Sequence, residues 1–287
     1  MVTAVQPQIM PYALGGHGMV RRLASALVLL PVFLVLLIQA PDWVFDALVV
    51  AASALALWEL TRMLEAGGRP VHRLLAVVAG AGVTAAFGAS RMAEPFALPA
   101  LVLAVAVVVV LAAPLWRGVA PATEPAANTL LAVLYIGWLL GYGILLHHSL
   151  PSGDQLVLFV VGVTWIGETM AYVVGSTVGR HKLASVISPR KTVEGAIAQV
   201  AASVLTAVAL GTWLLPSCGV TTAVAGGAVL GIVGQVGDLT ESVIKRSVGT
   251  KDTGAIIPGH GGVLDRIDSL LFNLPAFYYV SRLVGCA

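Results

Sequence analysis

Long apolar runs, broken by short polar or charged stretches, set the pattern of this chain. A membrane-spanning helix needs about 20 mostly apolar residues. Nine runs approach that length, at approximately 23–40, 43–61, 73–90, 95–116, 127–148, 155–179, 193–215, 219–241 and 263–284. The first two are joined tightly through Pro41. The third, with Gly80, Gly82 and Gly88, is weak and could instead be a packed or tilted helix. The last two grow polar at their joined ends, between Asp238 and Asp268. The pattern predicts an all-α, polytopic integral membrane protein of about nine transmembrane helices. Residues 1–18, with Pro7, Pro11, Gly15 and Gly16, read as a disordered arm ahead of a transmembrane domain over 19–287. Met19 begins MVRRLASALVLLPVF, a more usual opening for a membrane protein. Either Met19 is the true start, or residues 1–18 are a short cytoplasmic arm.

Composition agrees, at 58% hydrophobic and 10% charged residues. Charge then orients the spans. With the N-terminus cytoplasmic, only Arg91 and Arg282 among the 16 lysines and arginines fall outside. That is a strong positive-inside bias. It puts both richly charged loops, 180–192 and 242–266, on the cytoplasmic face, where nucleotides are. The net charge of +2 is too small to suggest nucleic-acid binding. Cys218 and Cys286 form no CxxC and no metal-ligand spacing, and leave a disulfide between them open. Gly226, Gly227, Gly231 and Gly234 read first as small residues that let helices approach closely in lipid.

The stretch from Ser242 to Asp268, SVIKRSVGTKDTGAIIPGHGGVLDRID, holds about a quarter of the charged side chains. Basic residues that can hold phosphates stand there beside carboxylates that can hold a divalent cation. Phosphoryl or nucleotidyl transfer requires that combination. Burying a charge in a membrane helix costs about 2.5–3.5 kcal/mol on insertion scales, so each such carboxylate needs a partner or a job. Glu168 lies near the middle of the sixth span. Asp238 and Glu241 are three apart and share a helix face, with Lys245 on the same stripe. For Glu241 an i,i+4 ion pair with Lys245 is as good a reading as a functional one. Asp265 and Asp268, again three apart, open the last span. Such an oxygen-rich site suits Mg²⁺. Before it, Pro258-Gly259-His260-Gly261-Gly262 can turn sharply and show backbone N–H groups to an anion. His260 could donate to a phosphate or move a proton, or serve only the turn.

The loop GRHKLASVISPRKTVEG repeats the theme. Ser188-Pro189 reads as a helix N-cap followed by proline at the first helical position. Free N–H groups there, with Arg190 and Lys191, would bind an anion. Ordinary contact with lipid headgroups is the competing reading, strongest for Arg180 and Lys182. No GxxxxGK[ST] occurs, which excludes an ordinary P-loop ATPase.

These motifs resemble those of the phosphatidate cytidylyltransferases, also called CDP-diacylglycerol synthases. Ser242 to Asp268 carries Lys-Arg, Lys-Asp, proline, HGG and DRxD at that family's spacing. SPRKTVEG resembles its second loop, and GETMAY its sixth-helix segment. The likeness is continuous over about 165–275 and looser before that. Glu168 departs from it, because the family usually has aspartate there, and Val193 stands where an aromatic residue is common.

The resemblance implies that CTP and phosphatidate give CDP-diacylglycerol and pyrophosphate, with a catalytic half at about 155–287. It implies that Asp238 and Asp265, with Asp268 close by, hold Mg²⁺ and a second cation, K⁺ or Mg²⁺. Lys245, Arg246, Lys251 and Arg266 would hold phosphates, and Ser188 and Lys191 would close the site from the other loop. It further implies an inner-membrane enzyme among membrane lipids, with a homodimer as its assembly. Related CTP-using enzymes, such as a polyprenol kinase or an archaeal-lipid cytidylyltransferase, are the nearest alternatives. A transporter is a rival of another class, but transporters bury carboxylates near the midplane. Here, Glu168 apart, they cluster at cytoplasmic ends. A purely structural scaffold leaves the HGG-x-x-DRxD spacing unexplained.

Overall fold

The structure, a computed structural model, describes residues 30–90, 94–117, 123–149, 152–254 and 261–284. The arm 1–18 and His260 lie outside the described residues. Helices follow the apolar runs: α1 (30–38), α2 (Asp42–Ala66), α3 (Arg73–Ala89), α4 (Ala97–Ala112) and the one-turn α5 (Pro114–Arg117). Then come α6 (Thr123–Ala132), a π-helical segment (Val133–Trp138), α7 (Leu139–His147), α8 (Gly153–Thr177), α9 (Val193–Leu214), α10 (Gly219–Ser247) and α11 (Leu264–Leu283). Among the described residues, five continuous helices are long and apolar enough to cross a membrane: α2, Thr123–His147, α8, α9 and Pro216–Ser247. α10 runs more than one and a half turns further than its apolar run, so Lys245 and Arg246 are helical along with Glu241 at the run's end.

The loop between α8 and α9 corrects one expectation. SPRKT does not open a helix. It forms β2 (Ser188–Thr192), antiparallel to β1 (Lys182–Ala184), with Lys182 opposite Thr192 and Ala184 opposite Ser188. The helix starts at Val193, and Thr192 caps it by accepting from the Gly195 N–H at 3.2 Å. The cap chemistry expected of Ser188 is supplied four residues later by an equally good capping residue. Pairing with β1 satisfies backbone groups that a helix start at Ser188 would leave free.

Thr123–His147 is the centre of the bundle. Its most apolar stretch is 72% buried, against 28–39% for the other four long helices. Its π-segment is braced from α3, where the Thr84 hydroxyl donates to the Gly137 carbonyl at 2.9 Å. Ser53 on α2 joins Thr84 at 2.8 Å, so three helices share one buried polar chain. Outward-facing side chains stay apolar. Leu101, Val105 and Val108 on α4 are each more than half exposed. A surface of that kind fits hydrocarbon, where each helix satisfies its own backbone. On α10 the glycine face meets α9 and α11, as close packing predicts. A Cβ at Gly227 would stand 2.7 Å from the Val204 Cα.

Candidate active site

The last turns of α10 and the first turn of α11 meet at Lys245. Asp238, Glu241 and Lys245 lie on one face of α10, three and four residues apart. The Lys245 ammonium contacts the Glu241 carboxylate and lies 2.8 Å from Asp265 Oδ1. Glu241 is buried, so the expected i,i+4 pair exists and is well shielded. The second oxygen of Asp265 accepts the Gly262 N–H at 3.0 Å and the Thr253 N–H at 3.2 Å. Asp265 thereby pins both ends of the connection between α10 and α11. Gly261, at φ 88°, makes the turn into α11 in a conformation that side chains disfavour.

The two basic loops come together. Lys191 on β2 stands 2.6 Å from Asp238 Oδ2 on α10. Arg246 donates from Nε to the Ile187 carbonyl at 3.2 Å, and from Nη1 to the Thr250 carbonyl at 3.1 Å. The hairpin is therefore held over the end of α10 at two points. A Cβ at Gly237 would sit 2.8 Å from the Asp268 carbonyl, so the absence of a side chain there brings α11 against α10. Asp268 as a result comes within electrostatic reach of Asp238, Glu241 and Glu168. Glu168 in turn feels Lys191 and Arg266. Ser188 opens β2 half-buried, Arg266 is exposed within electrostatic reach of Glu168, and Lys251 is exposed.

The carboxylates expected to hold a cation differ in what they offer. Both oxygens of Asp265 are engaged by Lys245 and backbone N–H groups, and Asp238 is paired with Lys191. Asp268 uses one oxygen on the Ser269 N–H, at 2.7 Å. Buried beside it, Glu241 Oε1 lacks a hydrogen-bond partner among the described residues, and the Ser269 hydroxyl faces Glu168. An unsatisfied oxygen amid a surplus of carboxylates fits a hard divalent cation. The donor set centres on Asp268, Asp238 and Glu241, with Glu168 behind.

Two residues of the first half of the chain also reach this region. Glu59, on α2, is almost wholly buried, and its Oε2 accepts the Leu264 N–H that opens α11, at 2.9 Å. A Cβ at Gly254 or Gly262 would collide with its carboxylate. The insertion-cost argument applied to Glu168 flags Glu59 equally well, since it lies inside the second apolar run. Tyr135, in the π-segment, is buried within electrostatic reach of Glu241, Asp268 and Asp238. Its hydroxyl has no partner among the described residues. Nothing in the local sequence around Tyr135 signals this. A cavity of about 700 Å³ opens behind Glu59 and Thr253, bordered by Trp58, Arg62 and Asp252.

Residues 20–284 match the sequence model of the cytidylyltransferase family. The chain is 44% identical over 133 residues to a Synechocystis sp. protein named phosphatidate cytidylyltransferase, covering 46% of this chain and 44% of that one. It is 39% identical over 158 residues to the Staphylococcus aureus (strain COL) protein of that name, covering 52% and 56%. An uncharacterized Escherichia coli (strain K12) protein, YnbB, is 38% identical over 154 residues, covering 54% and 50%. The chain thus spans about half the length of the curated relatives it matches.

Proposed function

Because the chain belongs to the cytidylyltransferase family, we propose that it is a phosphatidate cytidylyltransferase, joining CTP and phosphatidate to give CDP-diacylglycerol and pyrophosphate. The observation that carries this reading is the convergence of two basic loops on one carboxylate cluster, through Lys191–Asp238 and Arg246–Ile187. The relatives named phosphatidate cytidylyltransferase supply the substrate pair. The helices cross the membrane about nine times with the N-terminus inside, so the cluster faces the cytoplasm of a bacterial inner membrane. The lipid tails then stay in the bilayer while the phosphate reaches the site.

A phosphate oxygen of phosphatidate attacks the α-phosphorus of CTP in line, and the bond to pyrophosphate breaks. A phosphomonoester is already anionic at neutral pH, so no strong base is required. The protein's work is positioning and neutralisation of charge. Asp238, Asp265 and Asp268 form the carboxylate side of the site, and Asp268 with Asp238 would hold Mg²⁺, leaving room for a second cation, K⁺ or Mg²⁺. The cation supplies charge neutralisation and alignment of phosphate oxygens. Lys191 and Lys245 can each exchange a carboxylate partner for a phosphate oxygen. Arg246, Lys251 and Arg266 line the approach for the remaining phosphate charge, and Ser188 offers a hydroxyl from the hairpin. His260, of the HGG motif, would donate to a phosphate. Asp265 keeps Lys245 aimed and the turn closed.

Purified protein in detergent, given phosphatidate, Mg²⁺ and CTP labelled in the cytidine, tests this. Label extracted with the lipid, together with released pyrophosphate, is the expected result. Label that stays in solution while a lipid alcohol gains phosphate would make the protein a CTP-dependent kinase instead.

A further inference from the structure

One group of side chains lies at the opposite end of α2 from Glu59, about 20 Å away at 1.5 Å per residue. Asp46 on α2, His147 at the end of α7 and the adjoining His148 bring one ligand atom each within 4.8 Å of one another. The reaction uses none of them. We propose that Asp46, His147 and His148 form a second metal site, taking a divalent transition ion of the Zn²⁺ class at the end of the bundle remote from the carboxylate–lysine cluster.

His147 is 9% exposed, and its Nδ1 has no hydrogen-bond partner among the described residues. The ring stacks on Phe45 with centroids 4.2 Å apart, which fixes its plane. The Leu37 backbone lies beside the ring, and Nδ1 is the buried nitrogen left without a partner, so Nδ1 is the candidate ligand atom. His148 Nε2 stands 3.1 Å from Asp46 Oδ1, with both side chains about one-fifth exposed, so an ion can enter. A tetrahedral ion with bonds of about 2.0–2.1 Å spaces its ligands ~3.3 Å apart. The Asp46–His148 pair is already at that spacing. A Cβ at Gly88 would sit 2.7 Å from Asp46 Oδ2, so α3 packs directly on this carboxylate. Asp42, one turn earlier on α2, acts electrostatically on both histidines and adds negative charge.

A simple His148–Asp46 ion pair would leave the buried Nδ1 of His147 unsatisfied, whereas an ion shared by all three satisfies it. Two imidazoles and one carboxylate select zinc, nickel or cobalt, not Mg²⁺ or Ca²⁺, which take oxygen ligands. Three protein ligands leave a fourth position for water. The ion would clamp α2 to the end of α7.

The test uses the full chain in detergent, without a polyhistidine tag and stripped with chelator. It is loaded with ZnCl₂ under excess Mg²⁺, which occupies the carboxylate cluster. After removal of unbound metal, zinc is counted by elemental analysis and thermal unfolding is followed with and without zinc. One zinc per chain and a raised midpoint are expected for the unaltered protein. His147→Ala and Asp46→Asn should lose both. His148→Gln keeps a polar side chain of similar reach beside Asp46 while removing an imidazole ligand, and should also lose both. Equal zinc in His148→Gln and the unaltered protein, or no retained zinc in the latter, would overturn the site.

Discussion

Lys191 Nζ and Asp238 Oδ2 lie 2.6 Å apart, joining a β-hairpin to a helix 47 positions further along the chain. Both side chains are partly open to solvent, so the pair contributes little to folding, under about 1 kcal/mol. On the proposed function, its place beside Asp268 and Glu168 would give it a different role. A cation meeting phosphate charge in a water-poor site is worth several times that in the transition state.

Lys191→Ala should therefore lower turnover by about 100-fold or more, the scale seen when one positioned donor is removed from a transition state. Its thermal midpoint should stay close to that of the unaltered protein. Combined with Asp238→Asn, the loss should be smaller than the product of the two single losses, because both groups act on one transition state. Turnover near normal in Lys191→Ala would leave the hairpin as a headgroup anchor.

Asp265 and Asp268 should separate in their response to Mg²⁺. Asp265 spends its oxygens on Lys245, Thr253 and Gly262. Asp265→Asn should abolish turnover, and added Mg²⁺ should not restore it, because what is lost is the aim of Lys245 and the closure of the turn. If Asp268 holds the proposed cation, Asp268→Asn weakens that site directly, so part of its activity should return as Mg²⁺ rises. Titration of initial rates against Mg²⁺ for both variants decides. Rescue of Asp265→Asn would make it a direct ligand.

Glu59 should behave as a positioning residue. Glu59→Ala leaves the buried Leu264 N–H without its acceptor, a loss of about 1–3 kcal/mol. A lower thermal midpoint and a lower turnover should appear together. Glu59→Gln keeps an oxygen for Leu264 and should recover most of both. If Glu59→Gln stays as inactive as Glu59→Ala at a normal midpoint, the carboxylate charge itself serves the reaction.

Sidedness can be read by labelling. In a chain with Cys218 and Cys286 changed to serine, Thr250→Cys should react with impermeant thiol reagents only after the inner face of the membrane is opened. Labelling of intact cells would place the cluster outside and overturn the cytoplasmic site.

Much of this molecule was legible in the chain alone. Helices stand where the apolar runs stand, and among the described residues five are long and apolar enough to cross a membrane, because transfer of a run into hydrocarbon depends on its own side chains and not on distant partners. The carboxylates of α10 and the first turn of α11 were legible for the same reason. A charge in an apolar run needs a local explanation, and helical spacing put Glu241 beside Lys245. Other features depended on partners. Residues Ser188–Thr192 carry good helix-start chemistry, and only the strand Lys182–Ala184 beside them makes a hairpin the better use of their backbone. Asp265 reads as a cation ligand from its spacing alone, and only the structure brings Lys245, Thr253 and Gly262 onto its oxygens. Glu59 meets Leu264 across 205 positions, and Asp46 meets His148 across more than 100. No local pattern announces such meetings, since they follow from which helices pack together. Close approaches such as Gly237 against Asp268 settle that packing, in a medium where apolar surface alone gives one helix no preference for another over lipid.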